Sequence, residues 1–149
     1  MFIKQFNQGT GHISLAGVNF SATSGSWTFV NSSAYTYYTS FLNSSNTNGD
    51  KATTKVYLAA GTYQIKGMVL QYASAGIQQI TIQSDILAET TIMQNDLYAA
   101  ASNFAYLVSG SFTVSQPGLY TLTIIANGKN ASSGGYAVGF QKLALVRIS

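Results

Sequence analysis

Apolar and polar residues alternate with a period of two along most of this chain. A period of two puts successive side chains on opposite faces of an extended backbone, so it specifies strands with one buried face. Val56 and Leu58 flank Tyr57, and Tyr63 and Ile65 are interleaved with Thr62, Gln64 and Lys66. Ile80 and Ile82 fall between Gln79, Thr81 and Gln83. Phe112 and Val114 alternate with Ser111 and Thr113, and Tyr120, Leu122 and Ile124 alternate with Thr121 and Thr123. Tyr136, Val138 and Phe140 share a face. Leu143 and Leu145 share one again after a slip at Gln141-Lys142, which predicts a β-bulge. Gly67 interrupts its run and predicts a bulge or a close backbone approach.

Turn residues separate these runs: Asn48-Gly49-Asp50, Ala60-Gly61, Ser74-Ala75-Gly76, Gln116-Pro117-Gly118, Asn127-Gly128 and Gly134-Gly135. The intervals are too short for crossover helices. The stretch 85–101 reads as a strand and a loop. Gly61-Thr62-Tyr63-Gln64-Ile65 echoes Gly118-Leu119-Tyr120-Thr121-Leu122, a glycine turn followed by an inward tyrosine and an inward aliphatic. Each tyrosine is expected to plug one end of a sandwich while its hydroxyl reaches water or a backbone partner. Two such launches fit two stacked sheets. The predicted fold is all-β, a jelly-roll-like antiparallel β-sandwich with Greek-key connections.

The chain of 149 residues is the size of one domain. Residues 27–149 read as the sandwich. Residues 1–26, rich in Gly, Ser, Thr and Asn, read as either first strands or an arm docking on a neighbouring subunit, with the core starting near Trp27. The first residues hold no apolar leader core, and no apolar run approaches the roughly 20 residues of a membrane helix.

Charge is scarce. Only 7% of residues are charged, against roughly 25% in ordinary globular proteins. Ser, Thr, Asn and Gln fill 53 of the 149 positions, so the polar surface is built from hydroxyls and amides. Such a surface suits an assembled or extracellular particle better than a lone cytosolic monomer, which charge keeps from associating. The seven basic residues are dispersed and form no run, which argues against nucleic-acid binding.

The inventory of reactive groups is short. Asp50, Asp85, Glu89 and Asp96 are the acids, His12 is the one histidine, and there is no cysteine. Cys/His zinc sites are excluded, and no Gly-x-Ser-x-Gly elbow supports a nucleophilic triad. Paired carboxylates for glycoside hydrolysis would have to come from four acids, of which Asp50 looks like part of a turn. Calcium, through Asp50 or Asp85 with backbone and Asn oxygens, is the one ion the donor types admit. The reading is of a non-enzyme with no metal and no cofactor. The Asn-x-Ser sequons at Asn31, Asn43 and Asn130 are expected to go unused.

The stretch 27–41 concentrates aromatics. Trp27, Tyr35, Tyr37 and Tyr38 are the candidate contact residues, and three readings are open for them: core, subunit interface or ligand platform. Sugar binding stacks aromatic faces on sugar faces, and the neighbours Asn31, Ser32, Ser33, Asn43, Ser44 and Ser45 carry the amides and hydroxyls such binding uses.

A family resemblance rests on the layout of loops and strands: Asn43-Ser44-Ser45-Asn46-Thr47-Asn48-Gly49-Asp50, then Leu58-Ala59-Ala60-Gly61-Thr62-Tyr63, then Ile80-Thr81-Ile82 and Gly118-Leu119-Tyr120-Thr121-Leu122. The chain closes with Gly128-Lys129-Asn130-Ala131-Ser132-Ser133-Gly134-Gly135-Tyr136 and Leu143-Ala144-Leu145-Val146-Arg147. Over residues 27–149 this resembles the jelly-roll modules of bacteriophage virion proteins: capsid decoration proteins, head fibres and tail-fibre tips. Gln83-Ser84-Asp85-Ile86 stands where such modules carry an Asp-Gly turn. The resemblance implies a non-enzymatic virion component, commonly a homotrimer, with major capsid or other virion proteins as partners and no membrane or nucleic-acid partner. Without a shaft or heptads, the chain suits a capsid decoration protein. The alternative is a carbohydrate-binding receptor-recognition module of a phage tail fibre, with a host-surface glycan as partner.

Overall fold

The alternating runs become strands, and the strands assemble into two facing antiparallel sheets. The computed structural model describes residues 12–31 and 39–149. In chain order the strands are β1 (His12–Leu15), β2 (Ser21–Ser24), β3 (Trp27–Val30), β4 (Ser40–Asn43), β5 (Lys51–Leu58), β6 (Gly61–Gln71), β7 (Ile77–Gln83), β8 (Thr90–Asp96), β9 (Asn103–Val114), β10 (Gly118–Ala126) and β11 (Gly139–Arg147). A single 3₁₀ turn, Gly17–Asn19, separates β1 from β2.

One sheet runs β3-β4-β11-β6-β9, with β1 also pairing β11. The other runs β2-β5-β10-β7-β8. Every connection between consecutive strands passes from one sheet to the other except β3 to β4 and β7 to β8, so each sheet interleaves distant segments. The fold is an antiparallel jelly-roll β-sandwich.

The inward faces meet in one core that includes Val56, Leu58, Ile65, Ile80, Ile82, Leu122, Ile124, Phe140 and Leu145. Burial of each such side chain stabilises the fold by ~1.5–3 kcal/mol before entropy is counted. The core extends upstream of Trp27: Ile13, Leu15 and Phe20 are buried within it. His12–Leu15 lies in register along Leu143–Val146, and Ser21 and Ala22 pair with Thr53 and Ala52. The segment 85–101 holds β8 between two loops, as the sequence pattern predicts.

The two glycine–tyrosine launches fall in different sheets, on β6 and β10. Tyr63 and Tyr120 are both fully buried. Tyr63 Oη donates to the Ala59 carbonyl at 2.9 Å, and Tyr120 Oη donates to the Gln116 carbonyl at 2.7 Å. Each phenol therefore closes the turn that launches its own strand and satisfies its polar end within the core. The slip at Gln141 is a bulge, with the β11–β6 register shifting between Phe140 and Lys142. Gly67 is a close approach: a Cβ there would lie 2.9 Å from Leu143 Cδ2 and 3.1 Å from Val108 Cγ2.

Candidate functional site

Two regions carry concentrated polar groups: the loops at one end of the sandwich and the outer face of the five-stranded sheet. The loop end is occupied with holding itself together. Asn43, 1% exposed, receives the Val138 amide on Oδ1 at 2.6 Å and donates through Nδ2 to Asp50 Oδ2 at 3.1 Å and to the Tyr136 carbonyl at 3.2 Å. Asp50 Oδ2 also accepts from Ser45 Oγ at 2.7 Å and from the Thr47 amide at 3.0 Å. Asn48 Oδ1 takes the Gly128 amide at 2.7 Å. Ser133 Oγ donates to the Ala75 carbonyl at 2.7 Å and accepts from the Gly135 amide at 3.2 Å. The polar residues of 43–50 and 128–136 thus satisfy the backbone of neighbouring loops. Asp50 spends Oδ2 on three protein donors, and no group of three or more His, Cys, Asp or Glu side chains capable of holding a metal occurs among the described residues.

The five-stranded sheet presents its polar groups outward. On β5, Ala52, Thr54, Val56 and Leu58 point into the core, leaving Lys51, Thr53, Lys55 and Tyr57 on the outer face. On β10 the outer positions are Leu119, Thr121, Thr123 and Ile125. The pairing registers align these residues in rows. Ser21 lies opposite Thr53, Thr53 opposite Thr123, Thr123 opposite Thr81, and Thr81 opposite Thr91. A row of five hydroxyl side chains therefore crosses all five strands. Beside it runs a second row, Lys51, Ile125, Gln79 and Gln94.

A groove of about 370 Å³ opens over these rows, lined by Lys51, Gln79, Thr81, Glu89, Thr91, Ile125 and Asn127. Ile125 and Thr81 are 7% and 4% exposed, so they form the floor, with longer side chains rising around them. Thr81 Oγ1 donates to Glu89 Oε1 at 2.9 Å, and Gln79 Nε2 donates to Thr91 Oγ1 at 2.6 Å. These bonds fix the rotamers of the floor and hold the carboxylate and the amide in place. The groove offers amide, hydroxyl, ammonium and carboxylate groups around an apolar floor, a donor and acceptor set matched to a polyhydroxylated ligand. It holds one carboxylate, whereas glycoside hydrolysis by the usual route needs two facing the bond.

Of the aromatic candidates, Trp27 lies elsewhere. Trp27 sits on β3, at the edge of the six-stranded sheet, half-buried. Its ring stacks on Phe41 with centroids 5.2 Å apart and planes 21° from parallel. Its Nε1 donates to the Ser24 carbonyl at 3.2 Å. Tyr35, Tyr37 and Tyr38 lie outside the described residues. The groove residues carry no local signature of a site in the sequence. Their outward Thr and Gln positions are visible in the alternating runs, but the strand order that unites them is not.

No family model matches the chain, and no curated protein matches it. Solved structures do. The chain is similar to the CBM22-1 xylan-binding domain of Paenibacillus barcinonensis Xyn10C, at 11% identity with a TM-score of 0.65, covering 97% of this chain and 100% of that one. It is similar to a family 35 carbohydrate-binding module of Clostridium thermocellum, at 15% identity and TM-score 0.60, covering 93% and 99%. It also superimposes on a Paenibacillus xanthan lyase at 22% identity and TM-score 0.68, covering 86% of this chain but only 12% of that enzyme. At these identities the likeness establishes the fold: a jelly roll of the kind seen in carbohydrate-binding modules. Whole modules are matched end to end, and the large enzyme is matched over a small fraction of its length.

Proposed function

We propose that this protein is a non-catalytic carbohydrate-binding module whose ligand lies in the groove on the five-stranded sheet. The observation that carries the reading is the groove itself. Its floor of Thr81 and Ile125 is ringed by Gln79, Glu89, Thr91, Lys51 and Asn127. Neutral sugars present hydroxyls that both donate and accept, and amides and carboxylates answer them in pairs. The groove's own bonds fix these groups before any ligand arrives, which lowers the entropy cost of binding. Fold likeness to sugar-binding modules supports the reading without establishing it.

The capsid-decoration reading draws on loop layout and low charge. The groove and the structural neighbours favour the glycan-binding alternative over it. Placement of the module on a phage fibre tip, as a homotrimer, belongs to the proposal and rests on the sequence resemblance.

The test is affinity electrophoresis of the protein through gels containing neutral polysaccharides, followed by calorimetry with the best ligand. Retardation is expected. Gln79→Ala and Thr81→Val together should weaken binding about tenfold, the equivalent of one or two lost hydrogen bonds. Unaltered binding by the double variant would move the site off this sheet.

A further inference from the structure

The outer face of the five-stranded sheet does not end at the groove. Continuing along β5 and β10, the next row is Lys55 opposite Thr121, with Gln83 on its other side. The row after that is Tyr57 opposite Leu119. Tyr57 is 42% exposed and Leu119 56%, and Ile86, nearby, is 62% exposed. These are three of the seven large hydrophobic side chains exposed among the described residues. A second groove, of about 240 Å³, opens there, lined by residues that include Asp85, Ile86, Pro117 and Leu119. From Lys51 to Tyr57 the strip follows seven residues of one strand, about 20 Å. That is the length of several sugar rings, not one.

We propose that this face takes an internal stretch of a linear, uncharged polysaccharide laid along the strands, with the hydroxyl-and-amide groove at one end and the Tyr57–Leu119 pair as an apolar platform at the other. The proposal rests on the glycan-binding reading and deepens it. Three features of the strip carry it. Sugar rings have apolar faces as well as hydroxyl rims, and the exposed apolar groups of this face lie at the far end of the same two central strands. A ligand that meets both ends must therefore run in the strand direction, from Gln79 and Thr81 on β7 over β10 toward Tyr57 on β5, not along the hydroxyl row. Charge is balanced along the path, which carries two lysines, Lys51 and Lys55, and two acids, Glu89 and Asp85, so the strip has no excess of one sign to select a polyanion. The middle row, Lys55–Thr121–Gln83, supplies long polar side chains to the hydroxyl rims between the two ends.

The experiment is calorimetry with neutral oligosaccharides of increasing length, disaccharide to hexasaccharide, from a glucan, a xylan and a mannan. Wild type, Tyr57→Ala and Gln79→Ala are compared, with an acidic polysaccharide as a further ligand. Wild-type affinity is expected to rise about tenfold or more from disaccharide to hexasaccharide. Tyr57→Ala should abolish that gain and leave the disaccharide unaffected, whereas Gln79→Ala should weaken both. Should Tyr57→Ala fail to fold, Leu119→Ser reads the same platform. Hexasaccharide affinity that ignores both platform variants, or fails to grow with length, overturns the strip while leaving the glycan reading standing. Preferred, salt-sensitive binding of the acidic polymer overturns the assignment of an uncharged ligand. Absence of binding to every glycan overturns the glycan reading itself, and the strip with it.

Discussion

Asn43 and Asp50 face each other across the loop between β4 and β5, Nδ2 to Oδ2 at 3.1 Å, with both residues almost fully buried. The pair holds a seven-residue connection in place and ties it to the Tyr136 carbonyl and the Val138 amide of a loop more than 90 residues away.

Removing the carboxylate should therefore be costly. Asp50→Ala removes the acceptor shared by the buried Asn43 amide, the Ser45 hydroxyl and the Thr47 amide, and each bond lost to this charged oxygen costs about 1 kcal/mol. The expected loss is about 3 kcal/mol, a fall in Tm of roughly 10 °C for a domain of this size. Calorimetric melting measures it. A Tm within a degree or two of wild type would mean that the loop repacks without the carboxylate.

Tyr63 gives a prediction about pH. Burial pushes its phenol above the ordinary value near 10. The Arg147 charge acts in the opposite direction and only partly offsets this. A phenol with a raised folded pKa stays protonated in the fold where the unfolded chain ionises. Its contribution is complete below about pH 10 and is lost as pH climbs through the folded value. Tyr63→Phe forfeits the bond to Ala59, about 1 kcal/mol at neutral pH. The deficit should shrink in the alkaline range, because the variant has no phenol to titrate there. Urea melts of both proteins from neutral pH to the alkaline limit read this directly. A deficit constant with pH would place the Tyr63 phenol at its ordinary pKa.

Gly110 and Gly118 separate a required glycine from a dispensable one. At Gly110, β9 presses against β8, and an added Cβ would fall on the Ile92 carbonyl oxygen, with Met93 Cβ 3.2 Å away. Backbone cannot swing aside as a side-chain tip can, so Gly110→Ala should cost ~1–3 kcal/mol. Around Gly118 nothing lies within 4 Å of a Cβ, so Gly118→Ala should stay within about 0.5 kcal/mol of wild type. Midpoints of urea unfolding compare the two. Equal effects would contradict the packing between the sheet edges.

Several of these features are legible in the sequence because they are local. Period-two alternation places Val56, Leu58, Tyr63, Ile65, Leu122 and Ile124 inward. The glycine–tyrosine echo marks two launches that prove to lie in separate sheets. The slip at Gln141 is a bulge. What the sequence does not reveal is long-range. Thr53, Thr81, Thr91 and Thr123 form one row because β10 pairs with both β5 and β7, and β8 adds to β7. No local pattern specifies that order. The same limit applies to 43–50 and 128–136. Asn43 reads as one of the groups sugar binding could use and Asp50 as part of a turn, yet Asn43, Asp50 and Ser133 are buried because distant loops bring backbone groups to them. The upstream strands are not legible for a related reason: Ile13, Leu15 and Phe20 are isolated apolar residues in a polar stretch, and only the presence of β11 and the core turns them inward.

Trp27 allows stability and binding to be read apart. Its ring is stacked on Phe41 at 5.2 Å, and Phe41 in turn meets Phe20 and Phe140 at 5.9 and 5.8 Å. The indole is therefore the outer member of an aromatic cluster that reaches into the core, on the sheet opposite the groove. Its link toward the groove passes through the Ser24 carbonyl, a backbone group that remains when the indole is gone. Trp27→Ala removes a half-buried ring and should cost about 2 kcal/mol, below the range for a fully buried tryptophan. Affinity for a groove ligand should be unchanged, because the lining side chains and their bonds are untouched. Paired measurements of melting temperature and glycan affinity decide it. Lost affinity with preserved stability would instead make Trp27 a ligand contact and shift the binding surface from the groove to the β3 edge.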